Sequence, residues 1–169
     1  MAKAEKEDVY FIAVRPEEVK RTRILKGIYC LYFLILLRVI VFKYPFSRLW
    51  EICRTWEKGV ILEGLDSANF TFFKTIKMYI RYWGRLNSFE NLFGNVLCFV
   101  PLGFLLPLYR PVCRRAWVLM GGVLCLVCGI ELFQLVTGFG AFDVDDILLN
   151  CAGAALGYRL FQSFWRKTG

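Results

Sequence analysis

The sequence predicts an all-α, polytopic membrane protein with about four transmembrane helices plus an interfacial amphipathic helix, and three observations predict it. Hydrophobic residues make up 57% of the 169 and the mean hydropathy is +0.48, too apolar for a domain with an ordinary polar surface. Four stretches reach the roughly 20 residues that a helix needs to cross a hydrocarbon core of about 30 Å. Basic residues flank those stretches instead of forming one stripe, so the net charge of +8 points to a membrane surface and not to nucleic acid.

Residues 1–24 form a mixed-charge segment without a small-residue cleavage site. The first apolar stretch, 25–44, therefore reads as a retained span and not as a signal peptide, and 25–169 form one transmembrane domain. Arg38 interrupts this span near its far end, where a long side chain can reach the headgroups. In the connecting segment 45–88, Leu49, Trp50, Cys53 and Trp56 suggest a first amphipathic stretch. A second is clearer: Phe72, Phe73, Ile76, Tyr79, Ile80 and Trp83 recur at helical spacing opposite Lys74, Lys77, Arg81 and Arg85. Those bases would attract phosphate-bearing headgroups, although plain anchoring by aromatics and snorkelling bases accounts for the same pattern.

The second span, 89–109, carries Asn91, Gly94, Asn95 and Cys98 along one face, and Pro101 and Pro107 predict a kink or local break in its later half. The third, 116–136, places Glu131 and Gln134 three residues apart near its end. A carboxylate at that depth is costly and marks a functional candidate; hydrogen bonding to Asn91, Asn95 or Gln134 as interhelical glue is the plainer account. The fourth, 146–164, is entered through Asp143, Asp145 and Asp146, after which Asp146, Asn150, Gly153 and Gly157 form one stripe. Asp145 or Asp146 also suits a helix cap, and the glycines suit close approach of another helix.

Arg110, Arg114 and Arg115 lie between the second and third spans, whereas 137–145 carries acids and no Lys or Arg. The former connection and both termini are thereby expected on the cytoplasmic side, with 45–88 outside despite its bases. The order of the spans brings Asn91, Asn95, Glu131, Gln134, Asp143, Asp146 and Asn150 to one level near one interface, beside the basic amphipathic helix. The seven cysteines are mostly embedded in apolar runs and no disulfide is assigned. Cys125 and Cys128 lie mid-span in a chain without histidine, which disfavours a zinc or thioredoxin-like reading, and no cofactor is expected.

With those residues collected, Asn91-Leu92-Phe93-Gly94-Asn95, Phe99-Val100-Pro101-Leu102-Gly103, Glu131-Leu132-Phe133-Gln134 and Asp143-Val144-Asp145-Asp146-Ile147-Leu148-Leu149-Asn150 with Gly153 resemble the VanZ-like family. The resemblance extends from about Asn69, since Asn69-Phe70-Thr71-Phe72-Phe73-Lys74-Thr75-Ile76 is similar to the segment before the family's second span. Phe72 stands where the family usually has proline, and Gly140 and Ala141 stand where it often has an arginine before the Phe-Asp pair. If that arginine neutralises the acids or holds an anionic ligand in relatives, this protein does so differently, through Arg85 or not at all. The resemblance implies a bacterial cell-membrane protein, some of whose relatives lower susceptibility to glycopeptide antibiotics, teicoplanin in particular.

Three functions fit these residues. The first is a binding or accessory protein whose polar cluster recognises the headgroup of an amphiphile such as a lipid-linked cell-wall precursor or a lipoglycopeptide. The second is a membrane enzyme using Glu131 with Asp143 or Asp146 as acid and base, or on a shared Mg²⁺, though neither a nucleophile arrangement nor a phosphate-cradling loop is present. The third is a structural subunit that assembles, with itself or with other membrane proteins, through the small-residue face of the fourth span.

Overall fold

The computed structural model describes residues 16–41, 45–57, 59–82 and 86–168. All regular structure among them is helical: α1 (Pro16–Leu36) with a π-helical continuation (Leu37–Val41), α2 (Phe46–Thr55), α3 (Gly59–Ser67), α4 (Lys74–Arg81), α5 (Leu86–Tyr109), a 3₁₀ turn (Pro111–Arg114), α6 (Ala116–Thr137) and α7 (Val144–Thr168). The N-terminal segment up to residue 15, the end of the expected first span at 42–44, Trp83 and Arg85 lie outside the described residues.

Two helical stretches, Asn91–Tyr109 of 19 residues and Ala116–Thr137 of 22, are long and apolar enough to cross a membrane. Helix α1 begins well before the expected first span, because the segment that enters it holds good helix formers behind Pro16, whose fixed φ and missing N–H suit a first turn. Large apolar side chains stand exposed on all four long helices, among them Leu31 and Leu34 of α1, Leu97 of α5, Leu124 and Leu132 of α6, and Leu156 and Leu160 of α7.

Helices α5 and α7 form the centre, and glycine decides how closely they approach. A Cβ added at Gly153 would fall on the carbonyl of Val96, one at Gly157 on that of Val100, and one at Gly103 on that of Ala154. The two backbones therefore touch along two turns, with no room for a side chain between them. The close approach of another helix expected for these glycines is thus made by α5 of the same chain. Helix α5 also runs unbroken through Pro101 and Pro107, so the local break expected there does not form.

The core closes around this pair. Phe99 and Leu102 of α5, Leu119, Val123 and Val127 of α6, and Ala154 and Phe161 of α7 are buried together with Leu36 of α1. Tyr32 of α1 donates to the carbonyl of Cys98 at 2.7 Å, beside Pro101. Helices α2 and α3 fold over the end of α6, where Trp56 Nε1–H donates to the Val136 carbonyl at 2.9 Å. Gly138 ends α6 in the left-handed region at φ 73°, close against Val60 of α3.

Candidate functional site

The turn from α6 into α7 meets the segment before α4, and the two are joined as a short parallel bridge at Asn69 and Asp143. Asn69 N–H donates to the Phe142 carbonyl at 2.8 Å, and Val144 N–H donates to the Asn69 carbonyl at 3.0 Å. Asp143 then anchors both sides. Its Oδ1 accepts from the Asp145 N–H at 2.8 Å, which makes it the N-cap of α7, and also from Asn69 Nδ2 at 2.8 Å. Its Oδ2 accepts from the Thr75 hydroxyl at 2.6 Å.

Asp145 is completely buried and caps a helix other than its own. Oδ1 accepts from the Phe73 N–H at 2.6 Å, while Oδ2 accepts from the N–H groups of Thr75 at 2.8 Å and Ile76 at 3.2 Å. These are the orphan donors at the start of α4, so the carboxylate supplies the acceptors and the favourable charge that the first turn needs. Phe73 occupies the left-handed region at φ 64°, a conformation costly for a bulky residue. The Asp145 oxygen on its N–H helps hold it there. Of Asp145 and Asp146, the two acids considered as caps from sequence, Asp145 has that role but for α4, and α7 is capped by Asp143 instead.

Held this way, α4 lies as a strap with two faces. Inward, Thr75 and Tyr79, one turn apart, meet the acids of α7. Tyr79 lies beside the side chain of Asn91; burial first, then the charges of Asp146 and Asp143, push its phenol up to about 12. Outward, Lys74, Lys77 and Arg81 line a cleft of about 360 Å³ with Met78 and Tyr82. Phe72, Phe73 and Ile80 remain exposed beside it, so only part of the expected apolar face turns inward. The bases are thus set on the far side of the strap from the acids.

Beneath Tyr79, Asn95 of α5 donates from Nδ2 to Asp146 Oδ1 at 2.6 Å, and both side chains are half-buried. Asn91, one turn before Asn95, is exposed. Glu131 of α6 is 1% exposed and its Oε2 accepts the Asp143 N–H at 3.0 Å. Gln134 is buried one turn further on, under Gly140, where an added Cβ would lie 3.1 Å from its Cδ. Asn150, one turn along α7 from Asp146, is 1% exposed, and its Oδ1 is buried without a hydrogen-bond partner.

Hydrogen bonds pair Asn95 with Asp146 and Asp143 with Glu131, Tyr79 stands among Asn91, Asp143 and Asp146, Gln134 lies beside the same turn, and Asn150 is one turn deeper. Asn69, Thr75 and Tyr79 belong to this cluster as well but were not among the candidate residues. Tyr79 reads from sequence as one more aromatic on an apolar face; only its contact with Asn91 reveals the hydroxyl's place. Among the described residues no group of three His, Cys, Asp or Glu side chains converges in a way that could hold a metal ion.

Residues 29–165, from the middle of α1 almost to the end of α7, match the VanZ/LLP1 family. The chain is also 25% identical over 142 residues to Protein VanZ of Enterococcus faecium, an alignment that covers 80% of this chain and 72% of that protein. No solved structure matches it. The match spans every helix that builds the cluster, from the aromatic strap through the Asn91 and Asn95 face to the capped start of α7, and the chain belongs to the VanZ/LLP1 family.

Proposed function

We propose that the protein crosses a bacterial cell membrane four times, through α1 with its π-helical end, α5, α6 and α7, and binds the headgroup of an amphiphilic or lipid-linked envelope ligand at its polar cluster. Exposed apolar side chains on all four long helices support the spans, since apolar surface of this extent calls for an apolar surrounding and lipid supplies it on every side. The bases between α5 and α6 support a cytoplasmic position for that connection and for both termini, which turns the cluster outward.

The observation that carries the binding site is the unpartnered Oδ1 of Asn150. A buried acceptor without a donor costs about 1–3 kcal/mol, which a ligand hydroxyl or amide reaching past the Asn95–Asp146 pair would recover. Asn91, Asn95, Glu131, Gln134, Asp143, Asp146 and Asn150 are the proposed ligand-binding set, and Lys74, Lys77, Arg81 and Arg85 the proposed headgroup contacts. Binding needs no catalyst, and the oxygens of Asp143 and Asp145 serve the fold as hydrogen-bond acceptors.

Kinship with Protein VanZ supports a contribution to glycopeptide resistance, with teicoplanin as the first compound to test. Susceptibility is measured in a host expressing wild type, Asn95→Ala, Asp146→Asn or Asn150→Leu, with membrane levels checked for each. Protection by wild type that is lost in variants present at normal levels is the expected result. Wild type without protection withdraws the antibiotic reading, and full protection by all three variants overturns the cluster as the binding site.

A further inference from the structure

Away from the polar cluster, a groove of about 510 Å³ opens between the end of α1 and α2. Its size falls in the range of small-molecule sites, and its lining is apolar except for one residue. Leu49 and Phe139 form a buried floor, the sides rise through Leu34, Leu37 and Cys53, and Phe46 and Trp50 stand at the rim, 79% and 58% exposed. The exception is Arg38. Four of the lining residues, Phe46, Leu49, Trp50 and Cys53, come from the single apolar face of α2, whose other face carries Arg48, Glu51 and Arg54.

The geometry points to one occupant: we propose that the groove holds an acyl chain of an anionic phospholipid, with the Arg38 guanidinium on its phosphate. Shape, chemistry and position each support this. An apolar channel open along one side accepts a flexible chain better than a compact solute. Leu34 lies one helical turn from Arg38, so a chain lying along α1 from Leu37 to Leu34 leaves its headgroup at the cationic end. A guanidinium offers five N–H donors in a fork that matches phosphate, enough to serve this acceptor besides any contact within the protein.

The backbone supplies a second observation. Arg38 sits in the π-helical stretch Leu37–Val41, a geometry rare in proteins and concentrated at functional sites. The extra residue in that turn changes the direction of the side chains that follow, and it falls where the groove begins. Phe139 contributes to the floor from the turn that leads to Asp143, and no residue of the polar cluster lines the groove. The lipid site does not require the headgroup reading of the cluster.

The test uses the full-length protein, purified in detergent, stripped of lipid and titrated with dioleoyl phosphatidylglycerol or dioleoyl phosphatidylcholine. Native mass spectrometry counts the lipid retained per chain, and circular dichroism verifies folding. Wild type is expected to retain one phosphatidylglycerol with a preference of about fivefold over phosphatidylcholine, the factor one basic residue supplies near an anionic headgroup. Arg38→Gln should bring that ratio to about one. Cys53→Trp fills the groove from an exposed wall and should abolish retention of both lipids while the helix content stays normal. Equal retention of the two lipids by wild type, or unchanged retention in folded Cys53→Trp, overturns the proposal. So does a dimer that forms without lipid and is lost in Cys53→Trp, which would assign the groove to a second copy of the chain.

Discussion

Replacing Asp145 by Asn tests whether α4 is held from the start of α7. Asparagine keeps one oxygen but puts an NH₂ where the second carboxylate oxygen accepts the N–H groups of Thr75 and Ile76, or of Phe73 if the amide turns over. At least one buried N–H loses its partner and faces another donor, and the remaining bond loses its charge assistance. With about 1–3 kcal/mol for a buried unsatisfied donor and a further 1 kcal/mol for the lost charge, the strap should loosen by about 2–4 kcal/mol. That free energy corresponds to a rise of about 30- to 1,000-fold in the opening equilibrium of α4. Hydrogen–deuterium exchange of the peptide spanning 73–81 reads it directly, with the peptide spanning 119–127 of α6 as the internal reference. The expected result is fast exchange confined to α4. Protection of α4 within about threefold of wild type would refute the capping argument, because no local source of stability would then depend on the charge.

Gly153→Ala and Gly157→Ala should each separate α5 from α7 and cost more than the about 1–3 kcal/mol of ordinary overpacking, since the added carbon meets a backbone carbonyl that cannot rotate away. Gly121→Ala, on an exposed face of α6 with nothing within 4 Å, should instead gain up to about 1 kcal/mol; melting in detergent compares the three. Tyr79 should ionise late. Its phenol is raised in the folded protein, so the linked stability is present below the unfolded value of 10 and is lost as pH climbs through about 12. The ultraviolet difference titration between wild type and Tyr79→Phe reads that single late step, and a difference centred near 10 would contradict the placement of Tyr79 against Asp146. Trp56→Phe removes the hydrogen bond to the Val136 carbonyl and should lower stability by about 0.5–1.5 kcal/mol on chemical denaturation, an effect that would vanish if α2 does not close over α6.

How much of this could be read from sequence depends on how local each interaction is. The apolar runs gave α5 and α6 nearly to the residue, because a long apolar run bounded by polar residues marks its own ends. Asn91 with Asn95, and Asp146 with Asn150, were legible as pairs because four residues make one turn. Helix α3 was not anticipated: Gly59–Ser67 is short, lacks an acid in its first turn and is shaped by contact with Leu135 and Gly138. The capping of α4 was out of reach for another reason. Asp145 lies 72 residues from Phe73, and a carboxylate next to its own helix start suggests a local cap before a remote one. The use of Gly153 and Gly157 inside the chain was equally hidden, since a small-residue stripe looks the same whether its partner is α5 or another protein.

The bond from Asp145 back to Phe73 also orders events during synthesis. Phe73 leaves the ribosome 72 residues ahead of the carboxylate that caps its helix. At about 5–20 residues per second, the strap waits roughly 4–14 s for its acceptor. Throughout that interval its first amides can be served only by groups outside the finished fold. Helix α7 therefore completes the first turn of a helix made long before it, and an interruption of translation before Asp145 would yield a chain with α5 and α6 made and the strap unfastened.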